Sequence, residues 1–326
     1  MNNLIVYILL SFFIFSLISI ISYKLKLVDL PNKRKIHKFS TAYTGGFALS
    51  LIYIFSIFLF EFDNQKLNLI LSTGLLIALV GLIDDKFNLN VSGKLSLQII
   101  PIFYLIIAEE LNLTHLGEYG NFKLDLKGLS IPFTIISLLF LINSFNYFDG
   151  LDGSLSFTTI STLLIIYFLL SDENFKLFIL VILIPIIIFL SFNFSIFKFK
   201  KLFLGDSGSL LLGFLLAFFL IFLENQNNIH PILLAFSVSI FAYEFLAINL
   251  QRLINNQSPF KAGKDHLHHL LLKKTKSIFK TNCYLSILNI FNFFIGYFSF
   301  VFIGPLASLI LFIFMFMIFL ILRIKL

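Results

Sequence analysis

Apolar runs of about 17 to 25 residues recur along the whole of this chain, each long enough to cross a hydrocarbon core of about 30 Å as a helix. The polar stretches between them stay under about 30 residues, too short for a separate soluble domain. A bilayer offers the backbone no hydrogen-bonding partner, so such runs must satisfy their N–H and C=O groups internally, as helices do. Of 326 residues, 59% are hydrophobic and 13% charged, against roughly 25% charged in soluble domains. The expectation is an all-α, polytopic integral membrane protein, a single domain over residues 1–326.

Eleven spans are expected, at about 3–22, 46–62, 67–83, 95–109, 129–147, 155–171, 176–193, 208–223, 231–250, 282–302 and 305–322. An odd number puts the termini on opposite sides. Of the 24 basic residues, all but Lys66, Lys123, Lys127 and Lys176 fall in one set of loops. The positive-inside bias makes that set cytosolic, with the N-terminus outside and the C-terminus in the cytosol. The first run, Leu4 to Ser22, has no basic segment before it and no small-residue cleavage site after it. It reads as a retained helix rather than a signal peptide. Cys283, the one cysteine, can form no intrachain disulfide. The outer segment 111–128 has the polarity of a small hairpin.

The chemistry-bearing residues sort to the same side as the positive loops. Asp29, Asp84, Asp85, Asp149, Asp152, Asp206 and Asp265 are all cytosolic on this topology, as are His37, His266, His268 and His269. Solubilising charge would scatter, whereas a site gathers.

Five patches carry it. In GLIDDKFNL, Asp84 and Asp85 are adjacent carboxylates at a membrane boundary, which repel unless a cation or a set of donors holds them. In NSFNYFDGLDGS, Asn143 and Asn146 share a helix face, while Gly150 and Gly153 end the helix and turn Asp149 and Asp152 towards the same cavity. In KKLFLGDSGSLLLG, a glycine-rich turn runs into a helix N-terminus whose N–H groups and dipole suit a phosphate oxygen, with Asp206 placed to hold a bridging Mg²⁺. In SPFKAGKDHLHHLLLKK, His266 and His269 lie on one side and His268 points away. Without a nearby Cys, and among lysines, these histidines suit an anion better than zinc. The first loop, Lys24 and Lys26 followed by LVDLPNKRKIHKFSTAYTGG, adds Arg34 and His37, and its six Lys and Arg residues would also serve as a positive-inside signal. Singly, each patch is also what a helix end or a solvated loop would use. Together they offer acids for a divalent metal and a basic, glycine-rich surround for phosphates, the makings of a phosphoryl-transfer site at the membrane surface.

The motifs VDLPNKRKIH, GLIDDKFNL, GKLSLQ, NSFNYFDGLDGS, FLGDSGSL and SPF…DHLHH, across about residues 28 to 270, resemble those of the polyprenyl-phosphate N-acetylhexosamine-1-phosphate transferases. That superfamily also holds phospho-N-acetylmuramoyl-pentapeptide translocase. The DHLHH form resembles the branch using UDP-N-acetylhexosamines. The resemblance implies that Asp206 ligates Mg²⁺ (Mn²⁺ as an alternative), with Asp84 and Asp85 beside the metal at the lipid-phosphate side. It implies that Asn146, Asp149 and Asp152 meet the nucleotide, that Phe203 lies near the uracil, and that Asn193 belongs to the site. His266, His268 and His269 would contact the diphosphate or sugar, and Asn143, Lys94, Arg34 and His37 would complete the substrate contacts. Three positions depart from the family pattern. The Pro ahead of Gly45 and Gly46 is replaced, Glu244 stands where Asp is common, and Gly263 stands where an Asp often precedes the histidines.

The implied reaction joins HexNAc-1-phosphate, GlcNAc first among the candidates, from a UDP-sugar to undecaprenyl phosphate and releases UMP. It would start a cell-surface polysaccharide such as O-antigen at the bacterial inner membrane, with the site facing the cytosol. The implied partners are the UDP-sugar, the polyprenyl phosphate and the lipid bilayer, with a homodimer by resemblance and no nucleic acid. Direct attack on the phosphorus and a covalent Asp intermediate both remain open. The competing classes are a transporter, whose acids should sit near the bilayer midplane in broken helices, and a non-catalytic lipid-phosphate-binding protein.

Overall fold

A computed structural model describes residues 2–30, 39–226, 229–258, 263 and 265–325. Helices dominate: α1 Asn2–Lys24, α2 Gly45–Phe60, α3 Gln65–Phe87, α4 Val91–Glu109, α5 Ser130–Asn146, α6 Ser154–Leu169, α7 Glu173–Asn193, α8 Gly205–Asn225, α9 Pro231–Ser237, α10 Ser239–Ile254, α11 Leu267–Thr275, α12 Ile278–Phe302 and α13 Pro305–Ile324. Two short antiparallel pairs complete it, β1 Val28–Asp29 with β2 Thr41–Ala42, and β3 His115–Tyr119 with β4 Phe122–Asp125. The second pair is the hairpin expected within 111–128.

Every expected apolar run is helical. Among the described residues, eight helices are long and apolar enough to span a bilayer, and α9 with α10 passes the same test as a pair bent by 71°. The remaining two, α2 and α6, are apolar but have only 16 residues each, about 24 Å of helix. The bend falls at Ser237–Val238–Ser239, with neither proline nor glycine. Its freed carbonyl, Ser237 O, accepts from Thr162 Oγ1 at 3.1 Å and Asn289 Nδ2 at 3.3 Å. Neighbouring helices thus satisfy the group that the break exposes. Asn64, Asn90, Asp172 and Ser277 cap α3, α4, α7 and α12 through side-chain acceptors.

The centre of the bundle is α8, buried from Ser207 to Glu224 and apolar all round, as a core helix must be. It packs on α3, α5 and α2. The first turn of α8 and the last turns of α3 and α5 come together at one end of the bundle, and that end carries the acids.

Candidate active site

Two sequence patches build the wall of this end by braiding their backbones. Phe203 N donates to Ala42 O at 2.7 Å, Gly45 N to Phe203 O at 3.0 Å, and Gly46 N to Leu204 O at 2.9 Å, while Asn193 Nδ2 holds Leu202 O at 2.9 Å. The chain then turns through Gly205, at φ +72°, into α8. A side chain at Gly205 would meet Tyr43 O at 2.3 Å.

Asp84 and Asp85 are successive helical residues, so they point about 100° apart and do different work. Asp84 accepts from Leu89 N at 2.9 Å and pairs with Lys94 Nζ at 2.7 Å. Asp85 reaches the start of α8, accepting from Asp206 N at 3.1 Å and Ser207 N at 3.4 Å. A carboxylate at the positive end of a helix is well placed. This corrects the expectation that these amides are open to phosphate, since two of them are given to Asp85.

Asp206 is the hub. Lys94 Nζ lies 2.5 Å from Asp206 Oδ2, and Asn146 Nδ2 lies 2.8 Å from both Asp206 Oδ1 and Ser209 Oγ. Side chains from α3, α4, α5 and α8 therefore meet within one hydrogen-bonded group. Asp84 and Asp206 each put an oxygen within 2.7 Å of the same ammonium, so they converge on a point that a cation occupies. Carboxylate oxygens are the donors that a hard divalent ion takes, so the pair suits Mg²⁺. Asp85, turned to α8, does not share that point. Among the described residues no three His, Cys, Asp or Glu are gathered to hold a metal.

The group opens on a cleft of about 680 Å³ whose lining includes Asp84, Asp85, Asp149, Asp152, Asp206, Asn193, Lys201, Phe203 and His269, together with Asp29, Tyr43 and Asn88. Burial, then the neighbouring Asp206 and Asp152, pushes the Asp149 carboxyl up to about 8. Asp152 pairs with Lys201 at 2.6 Å, and that ammonium also lies over the Phe203 ring at 5.2 Å. Lys201 was not singled out from the sequence. Its signal was the basic run leading directly into the glycine turn.

Among the described residues, five expected site residues do not line the cleft: Lys94 and Asn146 belong to the hydrogen-bonded group around Asp206, and Asn143, His266 and His268 are held elsewhere. Asn143 donates to Gln98 Oε1 at 3.1 Å and to Leu139 O at 2.8 Å, so its amide ties α5 to α4. His266 packs edge-on to Tyr147 with ring centres 4.9 Å apart. His268 is buried beneath Gly150, where an added Cβ would come within 2.2 Å of its Nε2. It supports the Asp149–Asp152 turn from below. Arg34 and His37 lie outside the described residues.

Burial pushes His266 down to about 4 and His268 well below the usual imidazole range, against Asp265 in the first case and reinforced by the other histidines in the second. Both are neutral at pH 7, so neither is a cationic anion-binder. An imidazole held neutral in the fold but free to charge when unfolded stabilises fully above about pH 6.5 and loses that contribution as pH falls towards its folded value. The melting advantage of the parent protein over His268→Leu is therefore expected to shrink by a few degrees between pH 7 and pH 5. Thermal unfolding of both in detergent checks this, and parallel pH profiles would contradict it.

The geometry fits what the sequence comparisons return. Residues 67–224 match the pattern of glycosyl transferase family 4, a stretch that runs from α3 through α8 and contains Asp84, Asp85, Asn146 and Asp206. The undecaprenyl-phosphate alpha-N-acetylglucosaminyl 1-phosphate transferase of Pasteurella multocida is 30% identical over 268 residues, 78% of this chain and 73% of that protein. Proteins of the same name from Yersinia pestis, 28% identical over 78% of this chain and 71% of the relative, and from Escherichia coli K12, 26% identical over 77% and 70%, align similarly. With this identity across more than two thirds of both chains, and the family pattern centred on the helices that build the acid cluster, the chain belongs to glycosyl transferase family 4.

Proposed function

We propose that this chain transfers GlcNAc-1-phosphate from UDP-GlcNAc to undecaprenyl phosphate, releasing UMP, at the cytosolic face of a bacterial plasma membrane. One observation carries the proposal: four helices deliver Asp84, Lys94, Asn146 and Asp206 to a single hydrogen-bonded group beside a polar cleft. The relatives' names supply the acceptor and the transferred group, and the motif resemblance supplies the UDP-sugar donor. The acids stand at helix ends, Asp84 in the last turn of α3 and Asp206 in the first of α8. A transporter would instead hold them at mid-span.

A phosphate monoester has a second pKa of about 6 and is mostly ionised at neutral pH, so the acceptor lipid needs no general base. The work left to the protein is orientation and charge. Lys94 and Lys201 offset repulsion between two anionic substrates. Asp149, whose carboxyl is pushed up by burial and by the neighbouring Asp206 and Asp152, would in its protonated form donate a hydrogen bond to a phosphoryl oxygen where an ionised carboxylate would repel it. Asn146 keeps the Asp206 carboxylate turned towards Lys94. A magnesium ion held by Asp84 and Asp206 would supply electrostatic stabilisation of the charge developing on the phosphoryl oxygens and on leaving UMP.

In lipid nanodiscs with both substrates, the purified protein is expected to release UMP. Excess EDTA is expected to abolish release, and added Mg²⁺ to restore it. Absence of UMP from any UDP-N-acetylhexosamine tested would overturn the proposal.

A further inference from the structure

The last turn of α13 carries a buried arginine whose partners all belong to the histidine segment or its support. Arg323, 3% exposed, donates from Nε to Glu244 Oε2 at 2.8 Å and from Nη2 to Glu244 Oε1 at 3.2 Å. The same Nη2 donates to the Asp265 carbonyl at 2.6 Å, and Nη1 donates to Gln251 Oε1. Glu244 Oε1 in turn accepts from Leu267 N at 2.9 Å, one of the orphan amides at the start of α11. Arg252 of α10 grips the Asp265 carboxylate with two bonds of 3.0 Å. The backbone on both sides of His266 is thus fastened to α10 and α13. One turn on, His269 lines the cleft, and His268 underlies Gly150.

Joining α10 to α13 does not require charge. A buried ion pair pays a desolvation penalty that hydrophobic side chains of similar volume avoid, and such replacements are often neutral or stabilising. What an apolar pair cannot do is hold a carbonyl and an amide of a segment outside the bundle. Arginine suits this because its planar fork serves a carboxylate and a carbonyl together, whereas lysine presents a point charge. Glu244, one of the departures from the family pattern, reaches both Arg323 and the Leu267 amide.

The geometry points to Arg323 as a positioning residue that, with Glu244, fixes the segment from Asp265 to His269 and thereby sets the nucleotide-sugar side of the cleft. This inference rests on the transferase proposal for its substrate, but its structural half can be read separately. Two variants are used: Arg323→Lys, which keeps the charge and loses the fork, and Glu244→Leu with Arg323→Met, which keeps the packing and removes both charges. Each is expected to fold, to raise KM for UDP-GlcNAc about tenfold, and to leave KM for polyprenyl phosphate within about twofold. Amide exchange at residues 267–270 should quicken at least about tenfold. A folded variant with parental KM for the sugar nucleotide and parental exchange at 267–270 overturns the inference. So does an equal rise in both KM values, the mark of a general structural defect. If the parent protein turns over no UDP-sugar, the functional proposal fails, and hydrogen exchange alone then decides whether Arg323 holds the segment.

Discussion

Asp206→Asn is expected to lower UMP release by at least about a thousandfold while the protein stays folded. Asp206 is where the site's contacts concentrate: Lys94 on one oxygen, Asn146 on the other, and Asp84 sharing the same ammonium. An asparagine keeps the shape but offers one acceptor where two donors now converge. If its oxygen stays on Lys94, its NH₂ faces the NH₂ of Asn146. If it flips, the NH₂ faces an ammonium. Either way the negative charge that pairs with Asp84 to attract a cation is gone. The fold should survive, because losing one acid from a cleft also lined by Asp84, Asp85 and Asp149 relieves like-charge repulsion as the Lys94 pair is lost. UMP release in nanodiscs, with melting temperature and gel-filtration profile as controls, decides. A folded variant within about tenfold of parental kcat would remove Asp206 from the centre of the chemistry.

What the sequence made visible follows the range of the forces involved. Hydrocarbon thickness sets the length of a span, so all eleven runs could be read directly. The gathering of the acids at one end of the bundle was also legible, because they sort to the same set of loops. The partition of work between Asp84 and Asp85 was hidden, because it depends on how α8 lies against α3. The bend at Val238 carries no proline or glycine, and the carbonyl it frees is satisfied from outside the helix by donation from Asn289 and Thr162. Lys94, expected among the substrate contacts, sits between two carboxylates, and Arg323, which reads as an ordinary positive-inside residue, is buried in a network. His268 resembled a ligand and is a buttress, because the tightness of the Gly150 turn above it is a tertiary fact.

The same dependence on the approach of α8 gives the second large effect. An alanine Cβ at Gly81 of α3 would stand 2.4 Å from the Asp206 carbonyl, and one at Gly46 of α2 would stand 1.9 Å from Gly208 N. Both obstacles are backbone, so no rotamer change relieves them, and the first turn of α8 must move. Small residues at such crossings are what let helix backbones approach closely within a membrane. Moving that turn displaces Asp206 from Lys94 and Asn146 together. Gly81→Ala is expected to cut kcat at least about a hundredfold, since misplacement by about 1 Å at a reacting centre has that scale. Gly46→Val should fail to accumulate as folded protein. Gly74, seven residues before Gly81 on the same helix, is the control. Its Cβ would meet only the Leu211 side chain, at 2.9 Å, and Leu215 beyond. Those side chains can turn aside, so Gly74→Ala should stay within about threefold of parental activity and cost no more than about 1–3 kcal/mol of overpacking. Activity and melting temperature measured across the three variants test the account, and equal behaviour of Gly74→Ala and Gly81→Ala would refute it.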